Sequence, residues 1–407
     1  MRILYVATTF PVYSETFLQR EARAFRELGV ELTILSLHRG EPEFDGFEID
    51  RFSKWELLTL FWRLPWIIVM RFSYFRAWFA ELFTHRPPTS LSFWENMLGM
   101  GAAVARESQL RVLKPDLIHC VWSSAPASFG WVSSLLAGLP FSIGAHAYDV
   151  FDHGGDWLLK TKTRQATLVH TSTESAYSKL REFVAESKLR LIRRGMNRFP
   201  EFKPLRPDRD SLRLICVARL VEKKGFPYQI RIYEALRDAG IKFEARIVGE
   251  GELREEIESE LRRKGRENQV VLRGRLTQAE TMEELAWADV LIHTGVIARN
   301  GDRDGLPNVI PEAMASGALV LASPVSGVVE AIENEITGIL ANVEETESWV
   351  EQCRRIQKED QLCERLRSAG RAWVEREWVA SRNSGELLKA MRDRLSSEAT
   401  TKILEAK

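Results

Sequence analysis

Four clusters in this 407-residue chain combine residue types and spacing that chemistry can use. The first is Arg219-Leu-Val-Glu-Lys-Lys-Gly225, directly after the apolar run Leu212–Ala218. A guanidinium fork and an ammonium point charge in one turn suit a diphosphate, and Gly225 lets the backbone come close to it. A basic turn on a solvated surface has the same composition. The second is Val248-Gly-Glu-Gly251, where Gly249, Glu250 and Gly251 follow another apolar run; these glycines admit a nucleotide or simply make a tight turn. The third runs from Asp304 to Gly317 and sets two carboxylates, Asp304 and Glu312, eight residues apart around a Gly-Leu-Pro-Asn turn that opens a helix. Asp304 then lies on the loop with Gly305, Leu306 and Asn308, and Glu312 lies on the helix. Both can reach sugar hydroxyls while the helix N-terminus faces phosphate. The fourth is Gly144-Ala-His-Ala-Tyr-Asp149, which puts His146 and Asp149 after a strand. A single buried histidine is often only structural, so His146 alone decides nothing.

Something must hold these turns in place, and the pattern between them is alternating strand and helix. Ile3–Ala7 is a buried-type strand, Ser14–Leu28 a helix ended by Gly29, and Glu31–Leu37 the next strand. Asp116–Trp122, Phe141–Gly144 and Thr167–Thr171 continue that series. The stretch Glu201–Ser211, rich in proline and charge, reads as a linker. After it Leu212–Ala218, Phe243–Val248, Val270–Arg273, Asp289–His293 and Leu319–Ala322 are strands. The intervening helices are Pro227–Ala239, Leu253–Arg263, one capped by Thr277 with Glu280, and one around Glu312–Ser316. Short apolar strands separated by helices imply parallel sheets covered on both faces, here two doubly wound α/β domains. Ligands of such domains lie at the carboxyl ends of the strands, and all but one of the four clusters fall just after a predicted strand. The expected domains are 1–200 and 205–372, with a helix of about 373–397 packing back on the first.

Bulk composition narrows the class. At 407 residues two cores are the natural division. Lys+Arg and Asp+Glu are both 57, so no global charge attracts a polyanion, and nucleic acid is not expected as a partner. Four scattered cysteines without a CxxC pair or nearby histidines at ligand spacing read as buried thiols of a reducing, cytoplasmic compartment. The segment MRILYVATTF is a first strand, too short in its apolar part for a signal peptide. No G-x-G-x-x-G follows the first strand of either half, which opposes a nicotinamide dehydrogenase.

The third cluster, with Gly317, Pro324 and Gly327–Glu330 behind it, resembles the E-x7-E signature of the family-four retaining glycosyltransferases of GT-B fold. RLVEKKG is similar to that family's phosphate loop, VGEGELR to its nucleotide loop and GAHAYD to its N-domain His-x-x-Asp, in the family's order over nearly the whole chain. The resemblance implies two Rossmann-like domains facing a central cleft, with the nucleotide diphosphate sugar on the second and the acceptor, a saccharide or lipid-linked saccharide, on the first. It implies that Arg219 and Lys224 hold the diphosphate, Glu312 the ribose hydroxyls and Asp304 the donor sugar, with His146 meeting that sugar from the opposite wall. Cofactor and metal are not needed in such a site, although Asp302-Arg-Asp304 has the D-x-D spacing of a metal site in the other main glycosyltransferase fold. Three departures stand out. Asp304 replaces the usual Glu, Pro307 replaces a frequent Gly and removes an N–H, and the loop Phe10-Pro-Val-Tyr-Ser-Glu-Thr-Phe17 replaces a glycine-rich one. That loop resembles those of enzymes of exopolysaccharide and capsule synthesis, with Ser14, Glu15 and Thr16 toward acceptor or donor. A non-catalytic nucleotide-sugar binder and a sugar-nucleotide epimerase of the same fold remain as alternatives.

Arg51–Arg86 is unusual. Six cations (Arg51, Lys54, Arg63, Arg71, Arg76, Arg86) stand against two acids (Glu56, Glu81), a net +4, among many Trp and Phe. Such a basic, aromatic stretch fits contact with anionic lipid or a lipid-linked saccharide acceptor at the inner face of a membrane, and it equally fits helices packed on their own domain.

Overall fold

The computed structural model describes residues 1–70, 79, 81–82, 84–265, 268–325 and 327–405, the side chains of 70 and 401–405 excepted. Part of the basic aromatic stretch (71–78, 80 and 83) thus lies outside the described residues. The chain divides into two compact units, one of Met1–Asn197 with Ala380–Lys407 and one of Arg198–Val379. The first boundary falls a few residues before the proline-rich segment. The return falls at Ala380, so Trp373 and the rest of helix Asp360–Glu377 stay with the second unit.

The first unit is built on β1 (Arg2–Ala7), β2 (Glu31–Ser36), β3 (Glu43–Phe44), β4 (Phe47–Arg51), β5 (Leu117–Cys120), β6 (Phe141–Gly144), β7 (Leu168–Thr171) and β8 (Leu189–Leu191). Their order is β3-β4-β2-β1-β5-β6-β7-β8, parallel except for the β3–β4 hairpin. In β1 every residue after Arg2 is buried, because both faces of the sheet are covered. Leu4 and Val6 point into one core with Ile118, Phe129 and Trp131, and Ile3, Tyr5 and Ala7 into another with Phe25, Leu387 and Met391. The latter two residues belong to helix Ala380–Glu405, which packs on helix Thr16–Glu27. Asn383 Nδ2 donates to Arg194 O (2.8 Å) and Arg394 Nε to Thr167 O (3.2 Å), which fixes its course.

The second unit carries β9 (Ser211–Val217), β10 (Lys242–Val248), β11 (Val270–Gly274), β12 (Val290–His293), β13 (Leu319–Ala322) and β14 (Ile339–Leu340), ordered β11-β10-β9-β12-β13-β14 and all parallel. The order reverses between β9 and β12, the switch point where doubly wound sheets open a ligand crevice. The Thr277/Glu280 capping box is present at the start of helix Gln278–Trp287. The segment read as a linker is pinned. Arg206 pairs with Asp289 (2.6 Å), and the buried Arg209 pairs with Asp360 and donates to Ile356 O (3.1 Å). All four cysteines are buried and unpaired.

Candidate functional site

In the second unit three loops leave the switch-point end of the sheet and hydrogen-bond to one another. After β9, the Leu220 N–H donates to Glu250 O (2.9 Å) and Leu220 O accepts from Leu253 N (3.0 Å), tying Arg219–Gly225 to the loop after β10. After β12, Val296 N donates to Lys223 O (2.9 Å) and Thr294 Oγ1 to Lys224 O (3.0 Å). Glycine is required where these loops press together. A Cβ at Gly225 would stand 2.0 Å from Thr294 O, and one at Gly249, where φ is +140°, would stand 1.9 Å from Ala218 O. Gly251 sits the same way under Leu220. The glycines read as room for a nucleotide therefore make room first for the neighbouring loop. The Glu250 carboxylate turns back to Arg254 (2.6 Å) in an i,i+4 pair.

On this platform the charged residues form one network. Lys224 Nζ donates to Asp304 Oδ2 at 2.5 Å, and Lys223 Nζ lies 2.9 Å from Asp302 Oδ2 and 3.7 Å from Asp304 Oδ1. His293 Nε2, at the end of β12, stands 3.6 Å from Asp304 Oδ2. Burial works to raise the Asp304 pKa, but Lys224, His293 and Lys223 outweigh it and hold the carboxyl well below the usual carboxylate range. Burial pushes His293 down, so it is a neutral imidazole beside an ionised carboxylate. Arg219 is exposed, and among the described residues its guanidinium has no ion-pair partner. Lys224 and Asp304, assigned above to different parts of a donor, are thus partners of each other. Lys223 and His293 had no role in the sequence reading. The doubled lysine was the only hint of the first, and a histidine ending the otherwise apolar strand Val290–His293 was the hint of the second.

Helix Val309–Ser316 starts earlier than its apolar pattern suggests, since Pro311 sits inside its first turn, where no N–H is needed. Glu312 is buried on that turn. Asn308, at the N-cap, makes no side-chain cap bond, and its Oδ1 is buried without a hydrogen-bond partner among the described residues. Gly305 and Leu306 run against Gly327, where a Cβ would stand 2.5 Å from the Leu306 amide nitrogen. The loop is thereby fixed between the Lys224–Asp304 pair and a helix N-terminus.

In the first unit His146 follows β6 and is buried. Its ring lies edge-on to Trp122 (5.5 Å), Phe17 (6.0 Å) and His170 (5.2 Å). Burial, then Arg194 and the neighbouring histidines, hold its pKa well below the ordinary value. It is therefore held as a neutral imidazole, and its Nδ1 is buried without a hydrogen-bond partner among the described residues. Asp149 serves the backbone instead. Its carboxylate accepts the N–H of Ser123 (3.1 Å), His146 (3.0 Å) and Ala147 (3.0 Å), which sets the shape of the His146 loop. Ser14 is exposed, Glu15 occupies the N-cap of helix Thr16–Glu27 without capping it, and Phe17 carries that helix start to His146.

Sequence spacing shows no metal-ligand set, yet the fold brings Glu21, His119 and His170 together with donor atoms within 4.8 Å of one another. Tyr5 and Ser142 hydrogen-bond Glu21 (3.0 Å) and His119 (2.8 Å) from behind. Arg194, near enough to depress both His146 and His170, opposes a dication there. The cluster has a pH consequence. Burial, then His119, pushes His170 down to about 3, so between there and about 6.5 the unfolded chain binds more protons than the folded one. The stability held by neutral His170 and His146 is fully present above about pH 6.5 and is lost as pH falls. His170 alone accounts for up to about 2 kcal/mol at pH 5. Calorimetry is expected to show a melting temperature flat from pH 7 to 8 and falling below 6.5, with a shallower fall in His170→Asn.

Residues 197–373 match the family model described as glycosyl transferases group 1. The match falls on the second unit, which thus carries a group 1 glycosyl transferase domain. This glycosyltransferase is 25% identical to the amylovoran biosynthesis glycosyltransferase AmsK of Erwinia amylovora, over 96% of this chain and 100% of AmsK. It is also 25% identical to the putative colanic acid biosynthesis glycosyltransferase WcaL of Escherichia coli K12, over 84% and 86% respectively. The crystal structure of Anabaena Alr3699/HepE with UDP and glucose superposes with a TM-score of 0.68 at 16% identity, covering 97% of this glycosyltransferase and all of that chain. Sucrose-phosphate synthase of Thermosynechococcus elongatus gives a TM-score of 0.70 at 15% identity, covering 98% and 100%. The fold is GT-B.

Proposed function

We propose that this glycosyltransferase retains anomeric configuration without a metal, taking a sugar from a nucleoside diphosphate donor held by the second unit. The acceptor is a saccharide carried on a lipid, held by the first unit, at the cytoplasmic face during cell-surface polysaccharide synthesis. The observation that carries the donor assignment is the Lys223/Lys224–Asp302/Asp304–His293 network beside exposed Arg219 at the strand ends. The UDP held by HepE supports the same donor class. As the C1–O bond to the diphosphate breaks, negative charge builds on the leaving oxygen, where fixed cations and a helix N-terminus stabilise it. The new C1–O bond forms on the same face, and the acceptor's proton passes to the leaving phosphate. Each carboxylate of the D-x-D is already neutralised by a lysine, which supports chemistry without a divalent ion. Glu312 binds the ribose hydroxyls and Asp304 the sugar, while His146 is assigned to the donor sugar by the family resemblance alone.

The test is release of nucleoside diphosphate from a panel of sugar nucleotides with lipid extract as acceptor. Release that needs acceptor and drops at least 10-fold in Glu312→Ala supports the reading. Donor binding with no turnover under any acceptor would instead indicate a binding protein, and an inverted product by NMR would rule out retention.

The membrane part of the proposal rests on an exposed apolar face. No described helix is long and apolar enough to cross a membrane. The turn Lys54–Thr59 and helix Leu60–Met70 nonetheless expose Trp55 (79%), Phe61 (87%), Trp62 and Val69, with Leu91 and Trp94 of helix Ser90–Ala105 also exposed. Aromatic rings at this exposure beside cations are what a bilayer interface accepts. Phe61→Ser with Trp62→Ser is expected to lower co-flotation with phosphatidylglycerol vesicles at least 5-fold; unchanged flotation would remove the membrane from the proposal.

A further inference from the structure

A cavity of about 700 Å³ opens at the carboxyl ends of β2 and β4, lined by none of the residues discussed as donor site. Its rim carries His38, Arg39, Arg51 and Lys54, and its wall Phe52 and Ser53. The nearby acids are already used. Asp50, which also lines it, is held by Arg106, and Glu56 accepts from Arg106 (2.8 Å) and from the Ser53 N–H (2.9 Å). Among the described residues Arg39, Arg51 and Lys54 have no carboxylate partner, and burial with Lys54 and Arg39 depresses His38. Arg39, Arg51 and Lys54 are exposed and hydrated, and same-sign charge gathered in a concave site of small-molecule size concentrates anions there.

The cations are also preset. Arg39 sits at φ +62°, a conformation side-chain-bearing residues rarely adopt. Ser36 Oγ holds it there by donating to Arg39 O (2.8 Å) while accepting Phe10 N (3.1 Å). Thr9 Oγ1 donates to His38 O (2.7 Å). The first-strand loop thus clamps the cationic turn before any ligand arrives. The last rim residue, Lys54, begins the turn that leads straight into the exposed Trp55–Val69 face.

We propose that this cavity binds the phosphate headgroup of an amphiphile whose tail lies along the Trp55–Val69 face, namely the phosphate that joins the lipid to the saccharide acceptor. This rests on the acceptor being lipid-linked, as argued above. The probes are a short-chain alkyl diphosphate below its micellar concentration, the alkyl alcohol of equal length, and vesicles of phosphatidylglycerol or phosphatidylcholine. Calorimetric titration is expected to show the diphosphate binding at least 10-fold more tightly than the alcohol. In Arg39→Asn/Arg51→Gln/Lys54→Gln the diphosphate should bind at least 10-fold more weakly than to wild type. Asn is chosen at 39 because it tolerates positive φ. If the triple variant does not fold, Lys54→Gln alone should weaken the diphosphate about 3-fold, and inorganic diphosphate should compete in wild type. Equal affinity for diphosphate and alcohol, with only phosphatidylglycerol flotation lost in the variant, would overturn the site in favour of general attraction to a bilayer. If the diphosphate binds as described but no lipid-linked saccharide accepts sugar, the headgroup site stands and the acceptor assignment falls.

Discussion

Lys224→Ala is expected to lower kcat/KM about 100- to 1,000-fold, the usual cost of losing one preorganised group that stabilises charge in the transition state. Two effects combine. On the proposed reading the diphosphate loses a cation aimed at the leaving oxygen, and Asp304 loses its 2.5 Å partner. The carboxylate then keeps only Lys223 at 3.7 Å and His293 at 3.6 Å, so it drifts from the geometry that meets a sugar hydroxyl. Lys224→Arg keeps the charge, but its planar fork does not fit a point contact, so only part of the rate should return. Steady-state kinetics on all three proteins, with thermal denaturation as the folding control, decides the matter. A loss under about 5-fold in the folded Ala variant would mean that Arg219 or Lys223 carries the diphosphate instead.

Gly249→Ala should cost about 3 kcal/mol or more of stability in the second unit. The backbone there has φ +140°, and the new methyl would lie 1.9 Å from the Ala218 carbonyl oxygen, which is backbone and cannot rotate away. Relief requires moving the loop that carries Arg219, or breaking the Gly249 N–H bond to Gly274 O (2.8 Å). Gly240 supplies the comparison. It too has positive φ (+77°), but a Cβ there meets nothing within 4 Å, so Gly240→Ala should cost only about 1 kcal/mol. Urea unfolding of the pair separates the clash from the dihedral penalty, and equal losses would show that the loop yields freely.

How much of this could be read from the chain depended on range. The central strands were legible because burial on both faces writes them as unbroken apolar runs, as in Leu319–Ala322, and their ends agreed to within a residue or two. Short strands such as Glu43–Phe44 and Ile339–Leu340 have too few residues to show a period, and the start of helix Val309–Ser316 was hidden by Pro311. The group 1 motifs pointed to Lys224 and Asp304 but could not say that the two touch. That pairing spans 80 positions and exists only once the loops after β9 and β12 are brought together. Lys223 with Asp302 and the Glu21–His119–His170 cluster were missed for the same reason, since each joins residues from separate strand ends or helices. The basic aromatic stretch was visible as composition; which of its rings face outward, and that Arg106 takes up its neighbouring acids, required coordinates.

The return of the last helix has a consequence for how the molecule is made. Leu387, Leu388 and Met391 fill a core whose other members are synthesised first, among them Ile3, Tyr5 and Phe25. On the ribosome the second unit, continuous from Arg198 to Val379, has its whole sequence before the first does. The amino-terminal unit must wait with an open apolar face until helix Ala380–Glu405 emerges. A stop codon near residue 380 would therefore damage the half of the protein farthest from it in sequence. Synthesis of this last helix therefore acts as the checkpoint, since a product truncated before it keeps the second unit whole but cannot close the first.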